Sequence, residues 1–276
     1  MTYKTPTDVY ERLKEHYNEA QKLGYEVIGC FLQGSYNYEK NFGDITDDKS
    51  DVDSKCLVLP SFKDFCLGRK PVSFTHEMEN GEHLDIKDFR LYLNMFKKQN
   101  INMVEILFTN YYIWNPKYMN ICYRMFSNRE KIARYDVKAA LNCMVGMAFE
   151  KQKALCHPYP STVETIQKYG FSGKQLSHTY RLNEFMDKYI ADESYEKCLK
   201  TDMGEFLRQL KRNEIFSLEL AKTNMDRLTQ EMKQKKDLYL ETHEVKKDEY
   251  VDKLFEELAV EAMEINFTSY LRDKNK

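Results

Sequence analysis

No charge of one sign dominates this chain. Its 42 lysine and arginine residues are almost cancelled by 44 aspartate and glutamate residues, which leaves a formal net charge of -2. Proteins that grip long duplexes usually carry a strong basic surface, so the whole-chain balance gives no support to that class, although a local basic patch fits within it. Paired cysteine motifs are also lacking. The seven cysteines are odd in number and no two stand at C-x-x-C spacing. A disulfide framework or a zinc site is a poor reading of that pattern. Several lie in apolar runs, as Cys30 does between Gly29 and Phe31, and read as small core residues in a reducing compartment. No stretch approaches 18 uninterrupted apolar residues, and residues 1–15 are polar with no apolar signal core. The expectation is a cytoplasmic protein with no membrane partner. There is no internal repeat and no low-complexity tract.

What the chain does have is enough apolar residue to pack a core: 42% hydrophobic against 31% charged over 276 residues. That suits one large domain or two modest ones. Val9, Leu13, Tyr17 and Ala20 are spaced by three or four and predict a helix over 7–22, closed by Gly24. A Val/Ile/aromatic run predicts a buried strand over 25–32, broken at Gly34-Ser35. A second strand is expected over 51–59, ended by Pro60, with Ser61 capping a short helix. Runs at 72–78 and 82–86 flank Asn80-Gly81, a strong hairpin signal. Helices are expected over 89–96 and much of 102–108, and then over 136–156, 174–190, 204–234 and 245–265, with no strand after about residue 116. The class is therefore α+β: a small mixed sheet with helices, then an all-helical part.

Three features stand in order along the first half. Gly34-Ser35 closes one apolar strand, Asp51-Val52-Asp53 opens the next, and Asp85 lies between Leu84 and Ile86 in the return strand of the hairpin. Side chains two apart on a strand leave the same face, so Asp51 and Asp53 crowd each other. Paired carboxylates repel unless a cation lies between them, and oxygen-only ligands suit Mg²⁺. A third carboxylate on a neighbouring strand would complete a two-metal site for an in-line displacement. A Gly-Ser turn lets backbone N–H groups approach phosphates closely. Taken singly, an Asp-x-Asp is usually a solvated loop and a Gly-Ser an ordinary turn; the ordered set carries the functional reading.

That set resembles the signature of the DNA polymerase beta nucleotidyltransferase superfamily. The longer text is similar to one branch, the predicted nucleotidyltransferases of bacteria and their phages, some of which are associated with RNA repair. Gly34-Ser35-Tyr36-Asn37-Tyr38, Ser50-Asp51-Val52-Asp53-Ser54-Lys55, Leu59-Pro60-Ser61-Phe62 and His83-Leu84-Asp85-Ile86-Lys87-Asp88 carry the resemblance. So do Asn102-Met103-Val104-Glu105-Ile106-Leu107-Phe108 and the run from Gly170-Phe171-Ser172-Gly173-Lys174 to His178 and Arg181-Leu182. It covers roughly residues 25–190.

The resemblance implies a catalytic domain over 1–115 and a helical domain over 116–276 that closes the nucleotide cleft. It implies two Mg²⁺ ions, with Mn²⁺ able to substitute, and transfer of a nucleotidyl group, AMP from ATP, to an acceptor hydroxyl with release of pyrophosphate. The acceptor is left open between an RNA end, a small molecule and a protein. Asp51 and Asp53 become metal ligands, Asp85 the third carboxylate, and Gly34 and Ser35 the triphosphate cradle. The alternative is a catalytically inactive nucleotide-binding or interaction module. One departure stands out: 15 residues separate Ser35 from Asp51, more than the superfamily usually has. Asp44, Asp47 and Asp48 lie in this loop as alternative ligands if the register slips, and the loop itself is a candidate specificity element.

Several residues have two readings. Lys55 alternates to the same side as Asp51 and Asp53 and neutralises either a phosphate or a carboxylate. Lys174, His178 and Arg181 stand at i, i+4 and i+7, one face of a helix, which either binds phosphates or is a solvated charged face. His76 and His83 are expected as satisfied structural histidines rather than metal ligands. Glu105, followed by Ile106-Leu107-Phe108, needs a partner if buried. Tyr111, Tyr112 and Trp114 precede Pro116 and are expected to pack rather than to stack a base.

Overall fold

The computed structural model describes residues 5–46 and 50–274. Asp47 and Asp48 lie outside the described residues. The described chain has five strands: β1 (Glu26–Leu32), β2 (Ser54–Leu59), β3 (Ser73–Glu77), β4 (His83–Asp88) and β5 (Tyr112–Trp114). Its helices are α1 (Pro6–Lys22), α2 (Phe62–Cys66), α3 (Phe89–Lys97), α4 (Ile101–Val104), α5 (Met119–Ser127), α6 (Arg129–Ala133), α7 (Val137–Ala154), α8 (Val163–Tyr169), α9 (Gly173–Ile190), α10 (Tyr195–Leu199), α11 (Gly204–Lys211), α12 (Leu218–Thr242) and α13 (Glu249–Lys274). The class is α+β, with a mixed sheet in the first half and helices through the C-terminal part, as the periodicity predicts.

The chain forms two compact units. A sheet unit comprises Met1–Asn37, Asp47–Tyr135 and Lys247–Lys276; a helical unit comprises Tyr38–Thr46 and Asp136–Lys246. The sequence pattern placed one boundary near residue 115. The compact units place residues 38–46 in the helical unit and α13 in the sheet unit.

In the sheet unit the strand order is β3-β4-β2-β1-β5. β1 runs antiparallel to β2 and β5, β3 antiparallel to β4, and β2 parallel to β4. The parallel pair arises because α2 and the outer strand β3 carry the chain back before β4 begins. α1 starts at a capping box: the Asp8 N–H donates to the Thr5 hydroxyl at 3.2 Å and the Thr5 N–H to the Asp8 carboxylate at 2.7 Å. Its Leu13 and Ala20 pack on Val27, Cys30, Cys56, Val58, Leu84 and Ile86, alternate residues on β2 and β4 and residues three apart on β1, where the register shifts between Val27 and Gly29. Each large side chain buried here contributes about 1.5–3 kcal/mol. His16, not the expected Tyr17, takes the fully buried place in that stripe.

Two elements were expected otherwise. β2 starts at Ser54, so Asp51 and Asp53 precede the strand rather than opening it. β5 is an edge strand on β1, where the aromatic run by itself suggests packing alone. Packing does occur there too: the Tyr112 and Trp114 rings stack at 4.6 Å and both meet Phe126 edge-on.

The helical unit is built round Leu155, Phe171, Leu176, Leu207, Leu210, Ala221, Met225 and Leu228. Helical periodicity runs across 204–234. The chain breaks it into α11 and α12 because Asn213 adopts φ 59° and Ser217 caps α12 by accepting the Leu220 N–H. At the start of α9, a Cβ on Gly173 would stand 1.9 Å from the Leu210 carbonyl oxygen, so only glycine lets these two backbones meet.

Candidate functional site

The residues singled out in the first half gather at one end of the sheet. β1 ends there, β2 starts there, and β4, parallel to β2, starts there. The Gln33 N–H donates to the Asp53 carbonyl at 3.0 Å, extending the β1–β2 ladder by one rung. Gly34 follows at φ +88°, and Ser35 begins a single 3₁₀ turn closed by the Asn37 N–H on the Gly34 carbonyl at 2.9 Å. The Asn37 side-chain amide also donates to the Leu32 carbonyl at 3.0 Å. The Gly34-Ser35 turn thus abuts Asp53.

On the next strand, the His83 N–H donates to Asp53 Oδ1 at 2.9 Å, and His83 Nδ1 lies 3.2 Å from the same oxygen. Asp51 is exposed. Asp85 pairs in register with Lys55 and is 8% exposed. It is held from both sides: Lys55 Nζ stands 3.3 Å from Oδ2 and Lys87 Nζ 2.7 Å from Oδ1, and both lysines are themselves buried. Lys55 therefore meets a carboxylate rather than standing free for a phosphate. Among the described residues, no three Asp, Glu, His or Cys side chains converge as a metal-binding group.

Two carboxylates pin this end of the sheet from beneath. Glu105 is buried, and its Oε1 accepts the Gly34 N–H at 3.0 Å. One N–H of the expected phosphate cradle is thereby engaged by the protein. Glu82 Oε1 accepts the Val52 N–H at 3.2 Å, between the two aspartates. Its Oε2 takes Arg12 Nη2 at 2.8 Å and lies 3.3 Å from His16 Nε2, while His16 Nδ1 contacts Ser54 Oγ at 2.8 Å. Burial alone would raise the Glu82 pKa, but hydrogen bonds from His16, Asn80 and Arg12 hold it down at about 2. The order Ser54–His16–Glu82 resembles a nucleophile relay in outline. Ser54 and His16 are both fully buried, however, so the network positions the 51–53 segment instead of attacking anything.

Glu82, His16 and Arg12 were missed in the sequence because their partners lie 66 and 70 residues apart and no spacing rule links them. Lys87 was missed because it sat in the quoted His83–Asp88 run as a bystander. The hint available was alternation: Lys87 is two residues from Asp85 on the same strand.

Lys174, His178 and Arg181 lie in the helical unit, on α9. Arg181 is buried, with its guanidinium carbon 3.6 Å from the centre of the Tyr38 ring, and its Nη1 has no hydrogen-bond partner. Burial, then Arg181, Lys151, Lys174 and Lys211 in turn, push the His178 imidazole well below its ordinary pKa. The loop 38–46 belongs to the same unit. Its Glu39 carboxylate accepts the Ile45 and Thr46 N–H groups at 3.2 and 3.1 Å, its Tyr38 carbonyl accepts the Thr201 N–H at 2.9 Å, and Lys40 pairs with Asp202. Asp44 caps Asn41 within this loop, accepting its N–H at 2.9 Å.

Comparisons of the chain with protein-family models, with curated proteins and with solved structures return no match.

Proposed function

We propose that the sheet end carrying Gly34, Ser35, Asp51, Asp53 and Asp85 transfers a nucleotidyl group, AMP from ATP, to an acceptor hydroxyl and releases pyrophosphate. The observation that supports this reading is convergence: a positive-φ glycine turn, the Asp51–Asp53 segment and a strand carboxylate, separate in sequence, meet where β1 ends and β2 and β4 begin. The chain's own residues have definite tasks in it. Glu82 fixes the backbone between the two aspartates, Glu105 fixes the turn, and His83 orients the Asp53 carboxylate.

The fit to a pair of Mg²⁺ ions is incomplete. Asp51 and Asp53 offer oxygen ligands, but Asp85 is neutralised by Lys55 and Lys87, and a third-ligand role requires that clamp to open. Bound Mg²⁺ would supply charge stabilisation at the triphosphate. The clamp also favours the second reading, a nucleotide-binding or interaction module without turnover, because the carboxylate is already satisfied within the chain. Radiolabel transfer from each of the four ribonucleoside triphosphates to RNA ends, small hydroxyl compounds and protein, in Mg²⁺ or Mn²⁺, separates the two. Labelled acceptor with pyrophosphate release is expected for the first. Saturable nucleotide binding with no transfer to any acceptor would establish the second.

A further inference from the structure

At the other end of the sheet, away from Asp51, Asp53 and Asp85, lies a solvent-open cavity of about 730 Å³. It belongs wholly to the sheet unit. β1 begins there at Glu26, β2 ends there at Leu59 and β4 ends there at Asp88, while the C-terminal part of α13 closes one side with Asn266, Ser269 and Tyr270. The volume falls in the range of small-molecule sites. The proposed transfer chemistry uses none of these residues.

The carboxylates of its wall are matched within the chain. Glu26 Oε1 takes Lys117 Nζ and the Tyr118 hydroxyl, each at 2.7 Å. Asp88 takes Arg90 Nε at 3.0 Å and Nη2 at 2.7 Å, and Asp64 takes Arg69 Nη1 at 2.6 Å and Ser61 Oγ at 2.7 Å. A cationic ligand finds no free counter-charge in such a wall. The Lys70 ammonium, by contrast, has no salt bridge or hydrogen bond among the described residues. Asn266 is only 8% exposed. Its side-chain amide donates to the Pro60 carbonyl at 2.9 Å, and its Oδ1 accepts from no group among the described residues. A buried amide oxygen ordinarily has a donor, and this one suits a ligand hydroxyl. Between these two groups in kind, the wall is aromatic. The Phe62 and Tyr270 rings stack at 5.3 Å with 16° between their planes, and Phe267 braces Phe62 edge-on at 5.1 Å. A wall of that kind takes a flat ring.

The geometry points to a binding site for a flat aromatic hydroxy acid, with its carboxylate on Lys70, its hydroxyl donating to Asn266 Oδ1 and its ring against the Phe62–Tyr270 wall. The site needs neither a nucleotide nor a divalent cation, so it and the transfer reading stand or fall separately.

The test uses the full chain without divalent cations and para-hydroxycinnamate as the probe, measured by titration calorimetry. Cinnamate, which lacks the hydroxyl, and methyl para-hydroxycinnamate, which lacks the charge, are parallel arms. The hydroxy acid is expected to bind, and each comparison compound to bind roughly five- to tenfold more weakly. Lys70→Gln should weaken the acid to the level of the ester and leave the ester unchanged. Asn266→Ala should abolish the preference over cinnamate, and Tyr270→Ala should weaken all three compounds. Lys63→Gln removes the same charge from an exposed position on α2 outside the cavity and should change the acid less than about twofold. Absence of para-hydroxycinnamate binding, an ester bound by the parent as tightly as the acid, or equal weakening by Lys63→Gln and Lys70→Gln would each overturn the site. If Asn266→Ala fails to fold, the parent's preference over cinnamate and the Lys70→Gln result decide the matter.

Discussion

The sheet end and the α9 face handle charge in opposite ways. At the sheet end, buried charge is matched within the chain: Asp85 between Lys55 and Lys87, Glu82 among Arg12, His16 and the Val52 N–H. On α9 a buried guanidinium has an aromatic ring on one face and a nitrogen with no partner. Internally satisfied charge positions backbone, and removing one member exposes the other to a low-dielectric surrounding. Unsatisfied buried charge costs stability. The two regions therefore differ in what a substitution should do to stability and to binding.

The largest expected effect falls on activity at the sheet end. Asp53→Asn keeps the His83 contact in shape but removes the charge. Transfer measured as pyrophosphate release with ATP, Mg²⁺ and the acceptor should fall about a thousandfold, while the thermal melt stays close to that of the parent. Near-normal turnover by a folded Asp53→Asn protein would remove Asp53 from the chemistry and leave the sheet end a purely structural knot.

Stability should respond most at Glu82. Glu82→Ala strands Arg12, His16 and the Val52 N–H together, and a loss of about 3–5 kcal/mol is expected in urea unfolding. A loss under about 1 kcal/mol would mean the network is not what holds the 51–53 segment. The same residue predicts a pH dependence. Its folded pKa of about 2 lies below the ordinary 4.5, so its contribution is complete above pH 4.5 and is lost as pH falls from there towards 2. The difference corresponds to about 3 kcal/mol. Unfolding curves at pH 7, 4.5 and 3 should show that decline, and Glu82→Gln should flatten it.

Gly34→Ala is expected to cost about 1 kcal/mol, all of it backbone, because φ is +88° while a Cβ there would meet nothing within 4 Å. A much larger loss would show that the turn is crowded by something other than its own chain. The smallest effect is expected at Arg181. Arg181→Met gives up the ring contact with Tyr38 but also an uncompensated buried charge, so the melting temperature should change little or rise. A strong destabilisation, comparable with that of Glu82→Ala, would erase the contrast between the two regions and make Arg181 a structural residue.

Much of the local structure was readable because the signals are local. Asn80-Gly81 between two apolar runs places the β3–β4 turn, where the Met78 N–H donates to the Glu82 carbonyl at 2.8 Å. Apolar spacing outlines α1, α7 and α9. The break between α11 and α12 is not legible, because apolar periodicity continues across Asn213 and only a left-handed backbone there shows it. The candidate aspartates were legible as an ordered set, since Asp51 and Asp53 stand just before one strand and Asp85 lies within another.

Sequence by itself determined which segments coil or extend, and that a glycine turn and three aspartates stand in order along the first half of the chain. Propensity and periodicity act over a few residues, and those features need nothing more. Tertiary structure alone decided the charge partners and the membership of the units. Lys55 meets Asp85 only because β2 and β4 run parallel in one register, Glu82 reaches Arg12 across 70 residues, and the 38–46 loop joins α9 through Tyr38 and Arg181. Such contacts are set by which surfaces must be buried together, and chain distance carries no record of that.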